Sequence, residues 1–193
     1  LHAQPASFRS SDGVTLAGSY LPGRDGAPAV VLSHDRLGDR SGVLRVAILL
    51  HKVGYSVLVF DFRGHGESGA SAVTLGIRER EDVLAALQWL RNREDVPSGQ
   101  LGLWGIGMGA NAALLASSEA KDVRALGLAF LYPDIRALAR QEFETVFHAP
   151  AGMLEPLYAR LFDRIAGSDA SLYVPEKFLG DLADRQVLLL VAQ

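Results

Sequence analysis

Gly105-Ile106-Gly107-Met108-Gly109 is the stretch whose residue types and spacing come nearest to a reaction centre. It follows a short apolar run, Leu101 to Trp104, and precedes a helix-forming segment, Ala112 to Ser117, so the chain must turn sharply from strand to helix. That is the layout of a nucleophile elbow. Small residues flank such a turn because strand and helix backbones pass close together, and its strain aims the central side chain out over the sheet edge. Gly105 and Gly109 fill the flanking places, but the central residue is Gly107. Covalent acyl transfer needs a hydroxyl or carboxylate there, and glycine offers only hydrogen.

Two more stretches belong with this turn. Val30-Val31-Leu32-Ser33-His34-Asp35-Arg36-Leu37-Gly38 runs from an apolar strand into a polar loop, and Phe60-Asp61-Phe62-Arg63-Gly64-His65-Gly66-Glu67-Ser68 follows the next apolar run. With the three in this order, the chain resembles the α/β-hydrolase superfamily, especially its serine aminopeptidase-like and lysophospholipase-like esterases, over nearly all of its 193 residues. The second stretch is similar to the family's Asp-x-Arg-Gly-x-Gly-x-Ser loop. The first is similar to the His-Gly loop that lends a backbone N–H to the oxyanion hole, so the resemblance implies a hole or pocket around His34, Asp35, Arg36 and Met108.

The same resemblance shows what is altered. Asp35 replaces the glycine of the His-Gly pair and brings a carboxylate to where donors are useful. An engineered serine knock-out would account for Gly107 but not for Asp35, which favours natural drift. The triad acid of the family follows the strand that Val187 to Ala192 resembles, and its histidine comes one strand later. Both would lie beyond Gln193, as would the last strand and helix of the fold.

Other chemistries have less support. The five histidines, His2, His34, His51, His65 and His148, show no metal-ligand spacing, and none has an evident orienting group for a base. His34 and Ser33 should diverge from a strand end, and His65 should serve turn geometry in its glycine loop. Gly105-x-Gly107-x-x-Ala110 and Gly64-x-Gly66-x-x-Gly69 formally satisfy dinucleotide fingerprints. The first sits on the third apolar run with no acid about 20 residues on, and no helix directly follows the second. No cofactor is called for. With no cysteine there is no thiolate ligand and no disulfide, and the compartment stays open. Leu1 to Pro5 fits either the stub of a cleaved signal or a simple boundary.

The elements that must hold the elbow are legible from periodicity. Phe8 to Tyr20 reads as a hairpin about Ser11-Asp12-Gly13. Ala29 to Ser33, Ser56 to Phe60, Leu101 to Trp104, Ala125 to Leu131 and Val187 to Ala192 are short apolar runs suited to strands buried on both faces. Between them, Val43 to Val53 should be a helix closed by Gly54, and Arg78 to Arg91 a helix burying Val83, Leu87 and Leu90. This alternation predicts one α/β domain: a mostly parallel sheet with helices on both faces, preceded by an antiparallel hairpin. Residues 134–180 interrupt the alternation with a lid-like or packing segment. Its helices should run Ile135 to Phe147 and Leu154 to Ile165, separated by His148 to Gly152, with Leu154, Leu157, Leu161 and Ile165 packed inward.

The charge of −3, with 19 basic residues dispersed among 22 acidic ones, disfavours nucleic acid, and no apolar stretch is long enough to span a bilayer. The expectation is therefore a hydrolase-fold shell that is catalytically silent as it stands and holds a small apolar ligand or a protein partner. The competing expectation is a fragment or variant of an esterase, lipase or aminopeptidase. The uncharged Val187 to Ala192 edge should promote self-association.

Overall fold

The chain first doubles back at Asp12-Gly13. Gly13 takes a φ of +89°, and its N–H donates to the Ser10 carbonyl at 2.9 Å, closing an antiparallel hairpin between β1 (Gln4–Arg9) and β2 (Thr15–Leu21). The computed structural model describes residues 2–147 and 155–191. Five further strands follow: β3 (Ala29–Ser33), β4 (Ser56–Phe60), β5 (Leu101–Ile106), β6 (Val123–Ala129) and β7 (Gln186–Leu190). They form one seven-stranded sheet in the order β1-β2-β4-β3-β5-β6-β7. β2 pairs antiparallel with β4, and every pair from β4 to β7 is parallel.

Successive side chains of a strand face opposite ways, so a strand covered on both sides must be apolar throughout. β4 shows this. Val57 and Val59 pack with Val43 and Ala47 beneath α1 (Leu44–Lys52), which is entered through a 3-10 turn at Arg40–Val43. Leu58 and Phe60 face the other way, toward Val83, Leu87 and Leu90 of α2 (Glu79–Arg91) and the alanines of α3 (Met108–Glu119). Each large apolar side chain buried in this way contributes about 1.5–3 kcal/mol. α1 ends where Gly54, at a φ of +106°, returns its N–H to the His51 carbonyl.

Besides β7, which is exposed along its whole length instead of buried on both faces, three expectations need correction. The elbow helix begins at Met108, not Ala112. It is buried all round from Met108 to Ser117, so no polar face marks its period. β6 stops at Ala129 because Phe130 takes a φ of +53° and leaves the strand. The third concerns α5 (Glu155–Ala166), which packs beside α4 (Ile135–Phe147). Leu157, Leu161 and Ile165 are exposed by 67%, 55% and 38% instead of facing inward. The inward face carries Tyr158, Phe162 and Ala166, which join Ile135 and Ala139 of α4 over Leu75 and Ile77. Aromatic bulk, not the leucine stripe, decided the orientation. Leu154 and the interruption from His148 to Gly152 lie outside the described residues.

One buried charge ties the hairpin to the sheet. Arg63 is inaccessible to solvent and donates to Asp82 Oδ1 at 2.7 Å, Asp12 Oδ2 at 2.8 Å and Ser10 Oγ at 2.9 Å. Burial opposes its charge, but Asp82 and Asp12 more than offset this and raise its pKa. Among the described residues, no helix is long and apolar enough to cross a membrane.

Candidate functional site

The site forms where β3, β5 and β6 end side by side, at the carboxyl edge of the parallel sheet. Gly105 and Gly109 allow the turn between β5 and α3. A Cβ on Gly105 would overlap the Gly109 carbonyl, and one on Gly109 would lie 2.6 Å from the His34 carbonyl. Gly107 caps α3 at φ +55° and ψ −118°, a conformation that L side chains seldom adopt. Its N–H donates to the Ala129 carbonyl at 2.9 Å, and its carbonyl accepts from Ala110 and Asn111 at 3.0 and 3.1 Å. The corner is fixed on both sides.

The space above Gly107 is occupied. Asp35, arriving from the end of β3, accepts the Met108 N–H on Oδ1 at 3.0 Å. The same oxygen accepts the Tyr132 hydroxyl at 2.5 Å. A Cβ added to Gly107 would collide with the Asp35 carboxylate and fall 2.7 Å from the Tyr132 oxygen. Met108 itself is fully buried and offers the site only its N–H. That N–H, at the positive end of a helix dipole, is the donor that would stabilise an oxyanion in an elbow of this type. Here a carboxylate from the same chain takes it. Burial first, then the bond to Asp35, pushes the Tyr132 phenol above its ordinary pKa of 10.0, so it stays protonated and donates.

Tyr132 and Asn111 were not singled out from sequence. Asn111 clasps the Tyr132 backbone from both sides: its Oδ1 accepts from Tyr132 N at 2.9 Å and its Nδ2 donates to the carbonyl at 3.2 Å. Asn111 lies four residues after Gly107, one turn along α3, and Tyr132 lies just past the neighbouring parallel strand. Those two placements are the signal that could have identified them.

The histidines near the site are engaged elsewhere. His34 is buried and donates from Nδ1 to the Asp35 carbonyl at 2.7 Å, while Nε2 accepts from Phe62 N at 3.0 Å. Burial lowers its pKa below the ordinary 6.5. With both nitrogens used it positions the loop instead of moving protons. His65 does more than shape a turn, since its ring links the Arg63 and Arg36 carbonyls, each at 2.9 Å. Ser33 is fully buried, and its Oγ has no hydrogen-bond partner among the described residues.

Arg36 pairs with Glu142 on α4, with Nη1 to Oε1 at 2.5 Å, while its guanidinium also reaches the Tyr132 phenol over the elbow. Arg36 and Glu142 border a cavity of about 400 Å³ beneath α4 and α5, lined also by Leu75, Phe143, Tyr158 and Phe162. Neither glycine fingerprint forms a phosphate cradle. Asp35 already holds the N-terminus of α3, and at Gly66 the backbone is packed against the Asp61 carboxylate.

Comparison with known proteins agrees with this architecture. An uncharacterized protein of Mycobacterium tuberculosis, Rv2307c, is 36% identical over 107 residues, 54% of this chain and 37% of its own length. The thiohydrolase aneE of Aspergillus aculeatus is 31% identical over 138 residues, 70% of this chain and 43% of that protein. The chain therefore spans less than half the length of these relatives. The esterase Pf2001 of Pyrococcus furiosus superposes with a TM-score of 0.72 at 21% identity, covering 99% of this chain and 83% of the esterase, and so shares the fold. The profile of X-Pro dipeptidyl-peptidase (S15 family) matches residues 5–141, more than half of the sequence. The chain belongs to that family and carries the α/β-hydrolase fold.

Proposed function

We propose that this domain holds a small, mainly apolar ligand without hydrolysing it. One observation carries the proposal: Asp35 Oδ1 accepts the Met108 N–H above a residue that has no side chain. An acyl-transfer site needs a nucleophile and a free donor, and here the first is absent and the second is occupied. The apolar cavity beside Arg36 supports ligand binding.

Serine-hydrolase chemistry is the competing proposal, and the likeness to thiohydrolase aneE favours it. Hydrolysis of p-nitrophenyl butyrate and of a butyryl thioester separates the two. The silent domain releases product no faster than buffer, and turnover by the unaltered chain would overturn the proposal. Gly107→Ser should also stay silent, because its side chain would enter the space that Asp35 fills.

We propose, too, that β7 pairs with a second copy. Among the described residues it is last in the strand order, and Val187 to Leu190 are each at least 43% exposed on both faces of the strand.

A further inference from the structure

The cavity beneath α4 and α5 has an electrical character that its apolar walls hide. Leu75, Phe143, Tyr158 and Phe162 provide its body. Its only charged lining groups among the described residues are Arg36 and Glu142, and these are closed on each other at 2.5 Å. Behind Arg36, the Asp35 carboxylate is already committed to Met108 N–H and the Tyr132 hydroxyl.

We infer that the cavity selects an uncharged ligand, and that the Arg36–Glu142 pair is the device that rejects carboxylates and other anions. An anion could reach Arg36 only by displacing Glu142 and giving up that ion pair. A cation would find Glu142, the carboxylate that lines the cavity, already paired with Arg36. A neutral molecule meets neither cost and still buries its apolar surface, and a volume of about 400 Å³ suits one of roughly two or three rings. The acid product of an ester hydrolysis belongs to the rejected class. This inference rests on the ligand-holding function proposed above.

The test uses the full chain and two probes with one ring skeleton: neutral N-phenyl-1-naphthylamine, and 8-anilino-1-naphthalenesulfonate, which adds a single negative charge. Fluorescence titration should show the neutral probe binding the unaltered chain at least about fivefold more tightly. Glu142→Gln frees Arg36 and should tighten sulfonate binding by at least about fivefold, with little change for the neutral probe. Arg36→Gln should not produce that gain. Both side chains are partly exposed, at 22% and 36% for Arg36 and Glu142, and circular dichroism verifies that the variants fold.

Tighter sulfonate binding by the unaltered chain would overturn the inference, as would absence of neutral-probe binding. A probe ratio unchanged by Glu142→Gln would overturn it as well, because the dyes would then be on other apolar surfaces such as Leu157 and Leu161 of α5. Ester turnover would end the silent-site proposal while leaving this charge selectivity standing, so the two can fail separately.

Discussion

Asp35 stands in the volume that a side chain at Gly107 would need. A Cβ built at Gly107 overlaps the Asp35 carboxylate, although the two residues follow different strands and are far apart in sequence. They are two halves of one arrangement. The missing side chain leaves room for the carboxylate, and the carboxylate supplies the helix N-terminus with the acceptor that Gly107, without a side chain, cannot provide.

Gly107→Ser alone should therefore destabilise the fold by about 1–3 kcal/mol in urea denaturation, through the positive φ and the collision. Combining it with Asp35→Gly should recover part of that loss, with a coupling of at least about 0.5 kcal/mol in a double-mutant cycle. Additive losses would mean that the two side chains do not compete for space.

Arg63 and Asp82 should dominate the electrostatic contribution to stability. Asp82→Asn leaves a buried guanidinium short of its main partner and should cost about 3–5 kcal/mol. Arg91 and Asp122 are equally close, at 2.6 Å, but both are partly exposed, and Arg91→Gln should cost no more than about 1 kcal/mol. Thermal or chemical denaturation of the two variants checks the contrast.

The parallel strands and the elbow were readable because their causes are local. β3 and β4 are short apolar runs, and three glycines at alternate positions mark a corner too tight for side chains. The content of the site was not local. Asp35 was recognisable as misplaced, but its acceptance of the Met108 N–H and the Tyr132 hydroxyl depends on three chain segments meeting. Glu79 and Asp82 suit the start of a helix dipole, yet they are buried: Glu79 accepts from Thr74 and Gly76, and Asp82 holds Arg63. Leucine spacing alone does not give the orientation of α5, because Tyr158 and Phe162 on the adjoining face take the inward positions.

His34 should make stability depend on pH. Its folded pKa is lowered by burial, so its contribution is complete above the unfolded value near 6.5 and is lost as pH falls from there toward the folded value. Within that window the slope is at most about 1.4 kcal/mol per pH unit. Denaturation at pH 7 and pH 5.5 should show the unaltered chain losing more stability than His34→Gln loses. Equal losses would remove His34 as the cause.

β7 should associate. Light scattering across a concentration series is expected to show dimers or larger species, and Leu188→Lys, which places a charge on a residue 57% exposed, should shift the chain toward monomer. A monodisperse monomer at high concentration would contradict edge pairing.

The Met108 amide proton reports most directly on whether Asp35 fills the hole. Hydrogen exchange followed by NMR should find it strongly protected in the unaltered chain and exchanging at least about tenfold faster in Asp35→Ala, the change expected when a bond of roughly 1.4 kcal/mol is lost. Unchanged exchange in Asp35→Ala would mean that the donor is not held by Asp35, and the occupied-hole account would fail.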